Sequence, residues 1–216
     1  MALIFKMSEL FKKVESLKKS NIKNTIDQRI KEFKEIGKKN SKEIFKELCF
    51  CLMTANFNAE KSIKIQNTIN NGFLNLPEEE LTASLKKLGH RFPNTRAKFI
   101  VEARKYKDSI KEILNSFNSE TELREFLVKN IKGISYKESS HFLRNIGFEN
   151  FAIIDFHILD LLAENNLIEK PKSKALTKNK YIEIENILKD IGKELNLNMA
   201  ELDLYLWFIE TGKILK

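Results

Sequence analysis

The chain of 216 residues can form one large domain or two smaller lobes with a buried core, and 42% of its residues are hydrophobic and 31% charged. Its seven glycines and three prolines disfavour strands joined by tight hairpins, and no apolar run approaches the roughly 18 residues of a membrane-spanning helix. Lys and Arg number 38 against 30 Asp and Glu, a net charge of +8 that fits a polyanionic partner such as nucleic acid. A generally lysine-rich surface is the alternative. The short apolar start MALIFKMSEL does not fit a signal peptide, so we expect a cytoplasmic protein.

Apolar residues recur at helical spacing along the chain, beginning with Leu10, Phe11, Val14 and Leu17, and this predicts an all-α fold of about ten to twelve helices. The helices assigned from the pattern are, in chain order, residues 21–36, 42–55, 58–71, 77–88, 94–107, 120–129, 136–146, 155–164, 178–195 and 198–211. The lysine-rich stretch EKPKSKALTKNK at 169–180 is typical of a linker. We expect residues 1–60 and 170–216 to form one helical lobe, and residues 61–169 to form the other.

The two cysteines, Cys49 and Cys51, stand two places apart in an apolar helical segment. Side chains at that spacing point to different faces of a helix, which predicts buried free thiols rather than a redox or metal motif. Two cysteines cannot hold a four-cysteine iron–sulfur cluster, and no pattern of the three histidines resembles a zinc site. We therefore expect neither a metal nor an organic cofactor.

The segment EFLVKNIKGISYKESSHFLRNIG predicts a helix, a sharp turn and a second helix. Gly133 lies between two apolar residues that can anchor the turn, and it permits positive φ or the close approach of a phosphate. Ser135 and Glu138 form the S-x-x-E pattern of a helix capping box. Lys137 then falls in the first turn, where the helix dipole makes a cation unfavourable.

This segment, at about residues 120–146, resembles the helix-hairpin-helix motif of DNA-binding proteins, whose turn commonly reads apolar-Pro-Gly-apolar-Gly-x-Lys. Lys132 replaces the proline and adds a cation that can face phosphate, while Ser135 replaces the second glycine. The serine strains the turn if its φ is positive, but it is a good N-cap. An ordinary α-hairpin is the alternative.

Asp155 follows an apolar run and begins a helix, so by itself it is most simply an N-cap. DNA glycosylases of the helix-hairpin-helix superfamily share an Asp-x-His segment after the hairpin, and Asp155-Phe156-His157 resembles it, with Phe156 where a basic residue is expected. From about residue 47 to 216, the chain resembles the second, archaeal and bacterial, family of 8-oxoguanine DNA glycosylases. Besides the hairpin, the segments that carry this resemblance are LCFCLMTANFNAE, LGHRF, RAKFIVEARK, AIIDFHIL and ELDLYLWFIETGKILK.

The resemblance implies a two-lobed helical DNA glycosylase that acts as a monomer on double-stranded DNA containing 8-oxoguanine, and then cleaves the strand. Lys137 is implied as the nucleophile and Asp155 as the carboxylate that stabilises the cationic sugar and orients or deprotonates the lysine. Free lysine has a pKa of about 10.4, and both burial and the positive helix end favour the neutral amine that attack requires. A related glycosylase/lyase for another oxidised base and a non-catalytic DNA-binding module are the alternatives.

Further residues are assigned to the base and to the DNA backbone. His141, one helical turn after Lys137, is expected to line the base pocket, together with Trp207 and Lys216. The residues assigned to the backbone and to the gap left by a flipped nucleotide are Gly133, Ser135, His157, Arg91, Phe92 and Asn56. Three alternatives stand beside these assignments, namely an inward-packed aromatic in the HRF loop, a helix C-cap at Asn56 and a core role for Trp207.

Overall fold

The computed structural model describes residues 2–171, 173 and 175–216, with the backbone alone for residues 2–8. All regular elements in these ranges are helices, which confirms the predicted all-α class. The thirteen α-helices within the described residues are α1 (Ala2–Lys18), α2 (Ile22–Lys38), α3 (Ser41–Thr54), α4 (Ala59–Ile69), α5 (Gly72–Asn75), α6 (Glu78–Lys87), α7 (Pro93–Ala103), α8 (Ile110–Asn115), α9 (Glu120–Asn130), α10 (Tyr136–Asn145), α11 (Phe156–Glu164), α12 (Lys178–Leu195) and α13 (Met199–Thr211).

Each helix assigned from the apolar pattern is present, with ends that differ by a few residues. The segment predicted at 94–107 is α7 followed by a short 3₁₀ helix, Arg104–Tyr106. Helices α5 and α8 were not predicted, because four and six residues are too few to establish a helical repeat. The expected linker at 169–180 ends earlier than predicted, since α12 begins at Lys178, and its residues 172 and 174 lie outside the described residues.

The chain divides into two compact units, one made of Met1–Lys34 with Gly147–Lys216 and the other of Glu35–Ile146. Asp155 belongs to the unit of the chain ends, and Lys137 belongs to the unit of the hairpin. The expected lobes, residues 1–60 with 170–216 and residues 61–169, stay a prediction.

Helix α3 is the centre of the unit Glu35–Ile146, where it packs against α4, α7, α8 and α10. Its N-cap Asn40 accepts a hydrogen bond from the N–H of Glu43, and its residues from Glu47 to Thr54 are all buried. Cys49 and Cys51 are buried free thiols, as predicted, and burial raises the pKa of the Cys49 thiol well above its usual value.

In the unit of the chain ends, α13 packs against α1, α11 and α12. Leu10 and Val14 of α1 are fully buried, which confirms the helical spacing predicted at the start of the chain. The stretch Phe151–Ile154 has no regular secondary structure, yet its four side chains are all buried. A buried segment without a helix or sheet must find its hydrogen-bond partners elsewhere, and those partners determine where Asp155 begins α11.

Candidate active site

The predicted hairpin joins α9 to α10 through buried Ile131 and Ile134, which anchor the turn in the core of its unit. The N–H of Ile134 donates to the carbonyl of Ile131 at 3.2 Å, and Gly133 between them has a φ of +87°. A Cβ on Gly133 would lie 2.3 Å from Cδ2 of Phe99, so the aromatic ring packs directly on the glycine backbone. Lys132 is exposed, with its Nζ 5.7 Å from the centre of the same ring and 3.5 Å from Glu102.

Ser135 caps α10 as the S-x-x-E pattern predicts. Its backbone N–H donates to Oε2 of Glu138 at 3.3 Å, and its hydroxyl contacts the same carboxylate oxygen. Its φ is −104°, which is ordinary extended backbone, so the replacement of glycine by serine introduces no conformational strain here.

The structure explains why a lysine is tolerated in the first turn of α10. The Nζ of Lys137 lies 3.1 Å from Oε1 of Glu138, whose side chain is only 8% exposed, against 25% for that of Lys137. Burial alone raises the pKa of Glu138, but the charge of Lys137 and the hydrogen bonds from Ser135 and Lys137 outweigh it and lower the pKa below its usual value. The carboxylate is therefore ionised at neutral pH and compensates the unfavourable helix dipole around Lys137.

Arg96 of α7 is a buried cation in the same unit. Its Nη2 donates to the carbonyl of Ala55 at 2.6 Å, and it interacts electrostatically with Glu138. Burial lowers the pKa of its guanidinium, and Glu138 opposes that change. Arg96 thereby fixes the turn after α3, where Asn56 is exposed and takes a left-handed conformation with φ of +57°.

The HRF loop between α6 and α7 is organised by its histidine. Nε2 of buried His90 lies 3.0 Å from the carbonyl of Met53, and its Nδ1 accepts the N–H of Phe92 at 3.0 Å, which places the ring hydrogen on Nε2. Burial lowers the pKa of His90 and favours this neutral form. Arg91 is exposed and lies 5.0 Å from the half-buried ring of Phe92, so the loop presents a cation beside an aromatic side chain.

His141 lies on α10 one turn beyond Lys137, as predicted from the spacing. It is buried and meets the ring of Phe50 edge to face, with 5.6 Å between the ring centres. Phe50 belongs to the buried helix α3, so the position of His141 is set by the core of its unit.

Asp155 is the N-cap of α11, as its sequence context alone indicated. Its Oδ1 accepts the N–H of Ile158 at 3.0 Å. The stretch that precedes it is bonded to two side chains of α12. Tyr181 donates its hydroxyl to the carbonyl of Ala152 at 2.7 Å and accepts the N–H of Ile154 at 3.3 Å, while Glu185 accepts the N–H of Ala152 at 3.1 Å.

Aromatic side chains surround the start of α11. The ring of Phe156, which is 50% exposed, lies 3.9 Å from the ring of His157, which in turn meets Trp207 edge to face at 4.9 Å. Nδ1 of His157 is 3.9 Å from Glu210. Burial raises the pKa of Glu210. Nearby carboxylates, including Asp155, raise the same pKa further, while the charge of His157 acts in the opposite direction. Trp207 and His157, which the sequence assigned separately, are thus in contact.

Several contributors were not identified from sequence. The sequence identified Glu138 only as half of a capping box. Its ion pair with the Lys137 amine depends on the conformations of both side chains, which the sequence pattern does not determine. Arg96, Tyr181 and Glu210 lack a local motif, because each acts on a residue that is distant along the chain or buried by the fold. Lys216 is partly buried at the end of the described chain.

No group of three His, Cys, Asp or Glu side chains suited to a metal ion occurs among the residues that the structure describes. Over the same part of the chain, no helix is both long and apolar enough to cross a membrane.

Comparison with known proteins identifies relatives along nearly the whole chain. A family model described as 8-oxoguanine DNA glycosylase matches residues 26–197. The 8-oxoguanine DNA glycosylase/AP lyase of Methanocaldococcus jannaschii is 59% identical over 207 residues, which cover 96% of this chain and 99% of the relative. That of Thermotoga maritima is 42% identical over 209 residues, with 96% and 99% covered. A crystal structure of the M. jannaschii enzyme with a 15mer DNA containing 8-oxoguanine superposes with a TM-score of 0.93, at 58% identity over 96% of this chain and 100% of that one.

Proposed function

The chain belongs to the 8-oxoguanine DNA glycosylase family, and we propose that it excises 8-oxoguanine from double-stranded DNA and then cleaves the strand at the abasic site. The relatives match it over nearly their full length, so the activity belongs to the whole chain rather than to the hairpin alone. The single observation that carries the mechanism is a lysine at the start of the hairpin's second helix, held by an ionised carboxylate and partly open to solvent.

Lys137 is the proposed nucleophile. Its neutral amine attacks C1′ of the damaged nucleotide, the C1′–N9 bond breaks, and the base departs with the bonding electrons. The nitrogen lone pair, freed by loss of a proton, then expels O4′ from C1′, and the opened sugar is left as a Schiff base. This Schiff base acidifies the C2′ protons, and removal of one of them breaks the C3′–O bond and expels the 3′ phosphate by β-elimination. Neither step requires a metal ion or an organic cofactor.

Asp155 supplies the carboxylate of the reaction. Positive charge develops on the sugar as the glycosidic bond breaks, and a fixed carboxylate stabilises that charge without reorganising during the reaction. One of its oxygens caps α11, and its backbone is held through the bonds that Tyr181 and Glu185 make to the preceding stretch. We assign Asp155 the further role of orienting or deprotonating the lysine.

Recognition of the base is assigned to His141, Trp207 and Lys216. Trp207 offers a flat surface against which a purine can stack, and the ring of His157 packs edge to face against Trp207 and holds it in position. 8-Oxoguanine differs from guanine by an N7–H donor and an O8 acceptor. A pocket that holds an acceptor for N7–H disfavours guanine, because guanine would leave that acceptor buried and unpaired.

Contacts with the DNA backbone and the gap left by the flipped nucleotide are assigned to two groups of residues. Gly133, Ser135 and His157 are placed at the phosphates, where backbone N–H groups at a turn and a helix start favour anions. The exposed Arg91, its neighbour Phe92 and the exposed Asn56 are placed at the gap. We further propose that the protein works as a monomer in the cytoplasm, associated with nucleoid DNA.

Borohydride trapping tests the substrate and the nucleophile together, because reduction makes a Schiff base permanent. The wild-type protein should form a covalent adduct with a duplex containing 8-oxoguanine and not with an undamaged duplex, and Lys137→Gln should form none. Lys129→Gln, the same change at an exposed lysine of α9, is the matched control and should trap like the wild type. An adduct in Lys137→Gln at the wild-type rate would remove Lys137 from the mechanism, and adducts only with oxidised pyrimidines would replace the proposed substrate.

A further inference from the structure

The carboxylate of Glu138 has more contacts than a helix cap requires. Oε2 accepts the backbone N–H of Ser135, which is the glutamate half of the capping box, and it also accepts the hydroxyl of Ser135. Oε1 is directed elsewhere and lies 3.1 Å from Nζ of Lys137. The two oxygens therefore serve different partners, one structural and one that belongs to the proposed nucleophile.

Helix α13 provides an internal comparison, because it begins with the same type of capping box. Its N-cap Asn198 donates its N–H to Oε2 of Glu201 at 3.0 Å, and the residue before that glutamate is alanine. Glu201 is half-buried, whereas Glu138 is buried beside a lysine at the equivalent position of α10. Capping alone therefore explains neither the burial of Glu138 nor its cationic neighbour.

Burying a carboxylate costs free energy that only charged or hydrogen-bonded partners can offset. Among the described residues, Lys137 on its own helix and Arg96 on α7 both act electrostatically on Glu138. Arg96 is already committed to the carbonyl of Ala55 at 2.6 Å. Lys137, at 3.1 Å, is in direct ionic contact with Glu138, and the pair fixes the position of the amine.

We propose that Glu138 is a positioning residue of the reaction, whose carboxylate holds the Lys137 amine at the start of α10 through an ion pair until it reacts. This inference rests on the proposed role of Lys137 as nucleophile. Before attack, an N–H bond of the ammonium ion breaks and the proton passes to a base, either water or the carboxylate assigned to Asp155. The freed electron pair then forms the N–C1′ bond. Removing the charge of Glu138 should therefore make the amine easier to deprotonate, and the pH dependence of trapping measures this effect.

Glu138→Gln separates this role from capping. The glutamine Oε can still accept the N–H of Ser135, but it places no negative charge beside Lys137. The ammonium ion loses its partner, so the amine should become reactive at lower pH. On the acid side of the profile, trapping by the variant should be about tenfold faster than that of the wild type, with each rate expressed relative to its own plateau.

The experiment measures single-turnover borohydride trapping between about pH 5.5 and 9.5 on a duplex that already contains an abasic site, which bypasses base recognition. Glu201→Gln is the matched control, since it makes the same change in the other capping box and should leave the midpoint of the profile in place. Urea denaturation of each variant measures the accompanying loss of stability. If Glu138→Gln does not fold, Glu138→Asp replaces it. Its side chain is shorter by one methylene group, which lengthens the distance to Lys137 and weakens the ion pair, so its midpoint should also fall below that of the wild type.

The outcomes distinguish this inference from the proposed function. Absence of any adduct with the wild type would refute the lyase mechanism itself. Wild-type trapping with superimposable profiles for Glu138→Gln and Glu201→Gln would refute the role of Glu138 alone and reduce it to a cap. A midpoint that moves to higher pH in Glu138→Gln would also overturn the proposal, because it would make Glu138 the group that removes the proton.

Discussion

Replacing Gly133 with alanine tests the structure of the hairpin turn directly. Gly133 has a φ of +87°, and a Cβ at this position would lie 2.3 Å from Cδ2 and 3.1 Å from Cγ of Phe99. Because the overlap extends to Cγ, the whole ring must leave its place on the turn. The substitution therefore combines an unfavourable backbone conformation with the loss of a packed aromatic ring.

The expected magnitude follows from those two components. A left-handed conformation costs an L-residue about 1–2 kcal/mol, and overpacking typically costs about 1–3 kcal/mol. Gly133→Ala should thus lower the free energy of unfolding by about 2–5 kcal/mol. Gly89, in the same unit, is a matched control, since its φ is +76° and no heavy atom would lie within 4 Å of its Cβ. Gly89→Ala should therefore cost only the first component.

Urea denaturation of both variants measures the difference, and duplex binding measured on the same samples shows whether the turn matters for DNA. Gly133→Ala should lose more stability and more affinity for duplex DNA than Gly89→Ala. In a Phe99→Ala background the steric component should disappear, so that Gly133→Ala costs no more than Gly89→Ala does. Equal losses of unfolding free energy in the two single variants would refute the packing of Phe99 on the turn.

Two further predictions concern residues that position the proposed site. Tyr181→Phe removes the hydroxyl that bonds the backbone of Ala152 and Ile154. Leaving those buried groups unpaired should lower the free energy of unfolding, measured by urea denaturation, by about 1–3 kcal/mol, and it should slow base excision. Unchanged excision would show that these hydrogen bonds do not position Asp155. For His90, burial lowers the pKa of the folded protein, so the unfolded chain takes up a proton near the ordinary value of 6.5 while the folded chain stays neutral. The contribution of His90 to stability is therefore present above pH 6.5 and is lost as the pH falls below it. Between pH 5 and 8, the free energy of unfolding should depend less on pH in His90→Asn than in the wild type. Parallel curves would show that His90 is not the source of this pH dependence.

The helices and their starts could be predicted from sequence because the interactions that determine them are local. Asn40, Ser135, Asp155 and Asn198 each cap a helix close to where the pattern placed it, and a cap bonds a residue only three positions away. The family also follows from ordered sequence segments, and the relatives confirm it over nearly the whole chain. The roles of individual site residues stay predictions, which the trapping experiments test.

The contacts that place those residues could not be predicted, because they join positions far apart in the chain. Tyr181 reaches the stretch before Asp155 from α12, and Trp207 meets His157 from α13. Neither contact leaves a periodic signal, since each depends on how buried helices pack.

At the start of α10, some features are determined by the local sequence and others only by the tertiary structure. The S-x-x-E pattern alone determined that a helix begins at Ser135 with Lys137 in its first turn, and a capping box requires nothing more than local backbone geometry. Only the tertiary structure decided that Glu138 is buried, that its second oxygen meets the amine, and that Gly133 lies under an aromatic ring. The physical reason is that burial removes water from a carboxylate, and the ion pair that must then compensate depends on how the surrounding helices pack.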